Sequence, residues 1–298
     1  MTPRDLEYDV VDVFTDTAFA GNPLAVVHGA GDLGTAALQA IAREYALSET
    51  AFPMAAVDGA DYRLRIFTPA MELPFAGHPS VGAAWVLARR GTVAPGAVVQ
   101  SCGAGLLPLQ VSPDGGPVLL TGGPPSVGQP RDAGAVLDAV GLGPADLAGP
   151  ADLAGVARDA SCGLGFTVLP VVPGALGRLD VDLAGLRRLG RGDGPFGGVS
   201  VVAWDGTSAR CRVFAVEAGV AEDPATGSAA LALGAWLVAS GLLPGEGETA
   251  YDVVQGVEMG RPSLLSCVVT AEAGAAVTVT VSGRVVPVAT GRIRVPRS

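Results

Sequence analysis

The chain has 298 residues, a length that predicts two domains of ordinary size. Apolar residues make up 49% of it, so it can bury a core, and the formal net charge of -10 argues against a nucleic-acid partner. All 19 strongly basic residues are arginines, and only two histidines occur. Because the chain has no lysine, Schiff-base chemistry, covalent pyridoxal phosphate and a P-loop lysine are excluded.

Valine-rich and alternating runs predict strands, and amphipathic runs predict helices. In chain order the predicted strands are 8–14, 24–28, 62–67, 106–111, 166–172, 199–204, 211–216, 264–270 and 276–281. The predicted amphipathic helices are 35–46, 132–140 and 182–189. The most apolar stretch, 228–244, is shorter than the roughly 20 residues that a bilayer requires, so it predicts a buried helix and no membrane partner.

Two further features bear on the compartment and on metal binding. The first ten residues carry three acids where a signal peptide needs a positive start and an apolar run, so we expect a cytoplasmic protein. The cysteines are widely scattered and form no CxxC motif, so neither a disulfide framework nor a metal site is predicted. These cysteines are Cys102, Cys162, Cys211 and Cys267.

Two segments about 150 residues apart read alike. RIFTPAMELPFAGH begins at Arg65 and RVFAVEAGVAEDPATGS begins at Arg212, and each has an Arg-aliphatic-Phe strand, a loop, Pro-x-x-Gly and an apolar helix. The alignment pairs Gly77 with Gly227 and His78 with Ser228. We therefore predict two similar halves, 1–123 with 284–298 and 124–283, joined through a Gly- and Pro-rich crossover at 114–134.

A glycine at a helix start lets a ligand approach the backbone, and the unpaired N–H groups there favour an anion. We expect the two helix starts of the repeat to bind a carboxylate-bearing ligand. The polar residues nearby allow two interpretations each. His78 is either a core histidine or a functional one. Asp223 is either a functional acid or a residue that forms a turn or N-cap. Glu49 is either a solvated edge-strand residue or a partly desolvated general acid/base. Asn22 reads first as a hairpin-turn residue.

At these residues the sequence resembles the PhzF family, named for the phenazine-biosynthesis isomerase and related to diaminopimelate epimerase. The matching segments are DVFTDTAFAGNPLAVV, LSETAF, RIFTPAMELPFAGHPSVGAA, GVAEDPATGSAA and MGRPS, which together span nearly the whole chain. The resemblance implies an α+β fold with two pseudo-symmetric halves. Each half is a strongly curved, mostly antiparallel sheet around a central helix, as in diaminopimelate epimerase, and a homodimer is implied as well.

The resemblance also assigns roles to individual residues. It implies that Glu49 is the general acid/base and that His78 and Asp223 hold or polarise the substrate. It implies that the substrate carboxylate is bound by Ser48, Gly77, Gly227 and Ser228. The related epimerases carry a cysteine at each helix start, whereas this chain has Ala76 and Thr226 there. Two-thiol racemisation is therefore disfavoured.

The expected function is a cofactor-free isomerase that shifts a proton, and with it a double bond, in a small cyclic amino or hydroxy acid. The substrate implied is similar to trans-2,3-dihydro-3-hydroxyanthranilate, a small-molecule carboxylate. One carboxylate suffices for this chemistry because it can take a proton from one carbon and return it to another. The alternatives are a non-catalytic binding or interaction protein that retains the cleft implied by the resemblance, and a two-base racemase or epimerase.

Overall fold

The computed structural model describes residues 4–57, 59–148, 157–189 and 196–296. The chain divides into two compact units, Met1–Thr121 with Ser282–Ser298, and Gly122–Val281. The sequence predicted these boundaries after residues 123 and 283, two residues later than the structure places each of them. The sequence from 134 to 165 is rich in glycine and alanine and matches no motif, and residues 149–156 within it lie outside the described residues.

The described ranges contain 18 strands and five α-helices. The first unit has the strands β1 (Asp5–Val13), β2 (Asn22–Val27), β3 (Glu49–Met54), β4 (Tyr62–Phe67), β5 (Glu72–Leu73), β6 (Gly96–Cys102), β7 (Gly105–Val111) and β8 (Val118–Thr121). The second has β9 (Ser126–Pro130), β10 (Arg158–Ser161), β11 (Gly165–Pro170), β12 (Phe196–Trp204), β13 (Ser208–Ala215), β14 (Val220–Asp223), β15 (Gly247–Gln255), β16 (Ser263–Glu272) and most of β17 (Ala275–Gly283). β18 (Val285–Arg294) returns to the first unit. The helices are α1 (Thr35–Tyr45), α2 (Gly77–Arg89), α3 (Ala133–Ala139), α4 (Leu183–Arg188) and α5 (Gly227–Ala239).

The two units repeat one sheet pattern. In the first, the strands run β18-β1-β2-β3-β4-β6-β7-β8, with β5 also paired to β4, and only β2–β3 and β4–β6 are parallel. In the second, they run β9-β10-β11-β12-β13-β15-β16-β17, with β14 also on β13. Here β11–β12 and β13–β15 are parallel. The α+β class and the mostly antiparallel, curled sheets are confirmed.

A buried helix lies against each sheet. In α2 every residue from Gly77 to Leu87 is buried, and in α5 every residue from Gly227 to Val238. Close packing requires a glycine in each helix, because a Cβ on Gly82 would lie 2.6 Å from Leu24 and one on Gly234 would lie 2.4 Å from the Tyr251 hydroxyl. The buried helix predicted at 228–244 is confirmed, although it ends at residue 239.

Two local expectations differ from the structure. The segment 114–134 is not only a connection, because β8 and β9 lie within it. The run that begins at Glu49 is an internal strand rather than an edge, since β3 is paired to β2 on one side and to β4 on the other. Its outer face is covered by α1, whose Leu38 and Ile41 share a core cluster with Phe52. No helix among the described residues has the length and apolar character that a membrane span needs.

Candidate active site

Glu49 is held by backbone pairing at the start of β3. It lies opposite Leu24 of the parallel strand β2, and the next residue, Thr50, lies opposite Phe67 of β4. Neighbours on both sides leave only 8% of Glu49 exposed, so the interpretation as a solvated edge-strand glutamate is wrong. Ser48, predicted to bind substrate, is half-buried and directly precedes the strand.

His78 is the second residue of α2 and faces Glu49. Its Nε2 atom lies 3.5 Å from Glu49 Oε2, and its Nδ1 atom lies 3.1 Å from the Asn22 amide nitrogen. Only 2% of the residue is exposed. Burial lowers the pKa of His78 to about 3, because the protein interior disfavours the imidazolium. His78 is therefore neutral at physiological pH.

The contact with Asn22 determines which ring nitrogen of His78 carries the proton. The Asn22 Nδ2 amide can only donate, so Nδ1 is the acceptor in this bond. In a neutral imidazole the proton then resides on Nε2, the atom that faces the Glu49 carboxylate. His78 is thus a neutral hydrogen-bond donor beside a buried carboxylate.

Asn22 is the residue of this cluster that sequence reasoning placed elsewhere. It is fully buried and is the first residue of β2, opposite Val13, rather than a residue of the hairpin turn. Period-two alternation puts it on the same face as Leu24, which packs against α2. This alternation is the sequence signal that places the Asn22 side chain on the face of β2 that packs against α2.

The start of α2 presents unused N–H groups. Ala76 is the N-cap and no side chain caps the helix. Pro79 has no N–H, so the donors of the first turn are those of Gly77 and His78, and neither donates to another described residue. The carbonyl of Ala76 is fixed from the other side, since it accepts a bond of 2.9 Å from the Ser80 hydroxyl. An anion is favoured beside Gly77 and His78.

In the second unit a buried glutamine organises the segment around Asp223. The Nε2 atom of Gln255, on β15, donates to the Asp223 carbonyl at 2.7 Å and to Thr226 Oγ1 at 3.0 Å. Its Oε1 atom accepts from the Thr226 N–H at 3.1 Å. Thr226 in turn donates its hydroxyl to Asp223 Oδ2 at 2.6 Å. No motif marked Gln255, because it lies about 30 residues downstream and reaches the segment through the parallel pairing of β15 with β13.

Asp223 is neither an N-cap nor a turn residue. It is the last residue of β14 and is 5% exposed, and Thr226 is the N-cap of α5. Gly227 and Ser228 are the first two residues of α5 and both are buried. They occupy the same helix positions as Gly77 and His78 in α2, as the repeat predicted.

The repeat also builds one ion pair twice. Arg65 donates to both oxygens of Glu72 at 2.7 and 2.6 Å, and Arg212 donates to both oxygens of Glu222 at 2.8 Å each. Each guanidinium also lies over the phenylalanine two residues further along its strand, at 5.1 and 5.6 Å from the ring centroid. A bidentate pair fixes the loop that leads to each helix start. Glu222 is therefore part of the ion pair that fixes the loop before α5.

Replacing Gln255 with leucine is expected to destabilise the second unit by about 2 to 4 kcal/mol, since two buried backbone groups lose their partner. Urea unfolding of the full chain measures the loss. The control is Gln110→Leu, at an exposed position of β7, which is expected to change stability by less than about 0.5 kcal/mol. Equal effects of the two substitutions would contradict the conclusion that the hydrogen bonds of Gln255 stabilise the segment from Asp223 to Thr226.

The cysteine chemistry of the related epimerases has no counterpart at the two helix starts. The N-cap positions are Ala76 and Thr226. Burial raises the pKa of Cys162 and of Cys211 to about 12 and holds the pKa of Cys267 still higher, so these thiols stay protonated. Among the described residues, no group of three or more His, Cys, Asp or Glu side chains is arranged to hold a metal ion.

A family model described as phenazine biosynthesis-like protein, PhzC-PhzF, matches residues 11–291. The chain belongs to this family. It is 32% identical over 301 residues to trans-2,3-dihydro-3-hydroxyanthranilate isomerase of Pseudomonas fluorescens, covering 96% of this chain and 98% of that protein. A crystal structure of a PhzF-family phenazine biosynthesis protein of Bacillus anthracis shares the fold, with a TM-score of 0.83 at 23% identity and coverage of 97% and 99% of the two chains.

The PhzC-PhzF chain is also similar to a structure described as a predicted epimerase of Pseudomonas aeruginosa. The TM-score is 0.77 and the identity 32%, over 97% of this chain and 99% of that one. The family membership expected from the sequence motifs is confirmed.

Proposed function

We propose that this PhzC-PhzF protein is an isomerase that uses Glu49 to move a proton between two carbons of a small cyclic amino or hydroxy acid. The observation that carries the proposal is the buried Glu49 carboxylate, 3.5 Å from the neutral His78 imidazole at an uncapped helix start. A carboxylate, a neutral donor and free N–H groups in one place supply a base, a polarising group and an anion site.

The proposed reaction needs only a proton and an electron pair to move. Glu49 accepts a proton from one ring carbon as that C–H bond breaks, and the electron pair shifts the adjacent double bond. The proton is then returned to a second carbon, where a new C–H bond forms, so the substrate undergoes no net oxidation or reduction. The substrate carboxylate lies against the N–H groups of Gly77 and His78, where the helix dipole favours negative charge.

His78 has a positioning and polarising role in this proposal. Its Nε2 atom faces the Glu49 carboxylate at 3.5 Å and forms no hydrogen bond to another described residue, so its N–H is available to polarise the substrate, and Asn22 keeps that proton on Nε2. A donor that stays neutral does not compete with Glu49 for the substrate proton. Substrate-binding roles for Ser48, Asp223, Gly227 and Ser228 remain predictions, as do the homodimer, the cytoplasmic location and the independence from a cofactor.

The substrate proposed is trans-2,3-dihydro-3-hydroxyanthranilate or a ring acid of the same class. The support is the 32% identity to the Pseudomonas fluorescens isomerase of that substrate over nearly the full length of both chains. The geometry is compatible with this class because a single acid/base group suffices when the proton leaves and returns on one face of a ring.

The test is incubation of the full chain with trans-2,3-dihydro-3-hydroxyanthranilate in heavy water, followed by NMR and mass spectrometry. We expect the double bond to move, and deuterium to enter at the carbon that gains the proton as the Glu49 carboxyl exchanges with solvent between the two transfers. Substrate that remains unchanged would contradict the proposed substrate and would favour a protein that only binds ligands. Inversion at a carbon with no movement of the double bond would instead show an epimerase.

A further inference from the structure

A small cavity lies in the first unit at the opposite end of α2 from His78. It has a volume of about 190 Å³ and is formed by the last turn of the helix, β7 and the turn that follows β7. Its walls include Trp85, Arg89, Pro95, Val111, Pro113 and Gly115. His78 and Arg89 are eleven residues apart on one helix, which corresponds to about 16 Å at 1.5 Å per residue. The cavity is therefore separate from the candidate active site.

Hydrogen bonds hold the walls of this cavity in place. The Trp85 Nε1–H donates to the carbonyl of Gly115 at 3.1 Å, which ties the helix to the turn. Within the turn, the hydroxyl of Ser112 donates to the carbonyl of Pro117 at 2.6 Å. Trp85 is 5% exposed, so its ring is a fixed wall. The cavity is preformed, as small-molecule sites usually are.

Arg89 gives this mostly apolar cavity a positive charge. Its guanidinium lies 5.1 Å from the centroid of the Trp85 ring, and it forms no ion pair within the described ranges. The next residue, Arg90, pairs with both Glu7 and Asp9. Asp114 belongs to the same turn but does not line the cavity. Charge complementarity therefore favours an anionic group at Arg89 and an apolar body against Trp85 and the two prolines.

We infer that this cavity is a second binding site, which takes a small aromatic or apolar monocarboxylate. The ligand's ring packs against Trp85, Pro95 and Pro113, and its carboxylate accepts hydrogen bonds from Arg89. The volume limits the ligand to about one ring with its carboxylate, because drug-sized ligands occupy cavities of roughly 300 to 1,000 Å³.

Benzoate is the probe for this site, and the Trp85 indole N–H resonance of the full chain is the readout. We expect millimolar benzoate to shift the Trp85 signal and to leave that of Trp236, buried in the other unit, unchanged. Benzamide, which has the same shape without the charge, is expected to bind about tenfold more weakly or worse. Benzoate bound only at the active site would not produce this pattern.

Two variants and one control localise the binding. Arg89→Gln removes the charge and Ala88→Leu fills the cavity, and each is expected to weaken the benzoate response of Trp85 by about tenfold or more. Arg43→Gln, in the last turn of α1, is the control and is expected to bind as the wild type does. A wild-type protein with no Trp85 response, or variants that bind as well as wild type, would overturn the inference.

Discussion

Replacing Glu49 with glutamine is expected to lower kcat of the proposed isomerisation by about 10²- to 10⁴-fold, the usual contribution of a general acid/base. Glutamine has the same shape but cannot accept and return the proton, so KM is expected to change much less than kcat. Steady-state kinetics in water and deuterium incorporation in heavy water measure the effect. Both are expected to fall together, because one carboxylate performs both proton transfers.

The matched control for Glu49→Gln is Glu44→Gln, which changes an exposed acid five residues upstream in α1. It is expected to leave kcat and KM unchanged. Circular dichroism and thermal unfolding of both variants separate lost chemistry from lost structure. A folded Glu49→Gln protein with activity within about threefold of wild type would exclude Glu49 as the proton carrier.

The second large effect is a loss of stability in acid that originates at His78. Burial lowers the pKa of His78 to about 3, whereas an unfolded histidine titrates near 6.5. Between these values the unfolded chain binds a proton that the folded chain does not. The neutral His78 therefore contributes fully to the free energy of unfolding above about pH 6.5. This contribution falls by about 1.4 kcal/mol for each pH unit as the pH drops toward 3.

Urea unfolding at pH 7 and pH 5 tests this prediction. From pH 7 to pH 5, His78 is expected to lower the free energy of unfolding of the wild type by about 2 kcal/mol, in addition to the effect of carboxylate titration. His78→Asn is expected to reduce the difference between the two pH values by that amount, whatever it does to stability at pH 7. His28→Asn is the comparison and is expected to reduce the difference less, because burial lowers the pKa of His28 while its bond to Asp9 at 2.8 Å opposes that change. An unchanged pH difference in His78→Asn would show that His78 titrates normally in the folded state.

The sequence alone determined the features that depend on short-range pattern. Glycine and proline spacing located the starts of α2 and α5, the Arg-x-Phe repeat showed two similar halves, and an apolar run longer than a strand predicted the helix after Gly227. The absence of lysine excludes Schiff-base chemistry, and the absence of cysteine at both helix starts disfavours two-thiol racemisation. These signals are readable because each depends on residues within a turn or two of one another.

Only the tertiary structure decided which side chains meet. Asn22 and His78 are 56 residues apart in sequence, and the bond between them exists because β2 lies against the helix that begins at Gly77. Local pattern allowed Glu49 to be a surface residue, yet β3 lies between two strands and α2 covers the face that carries Glu49. Burial sets the pKa of His78, and strand order places Gln255 under the Asp223 segment. Such properties depend on contacts between distant segments, and therefore no local spacing could predict them.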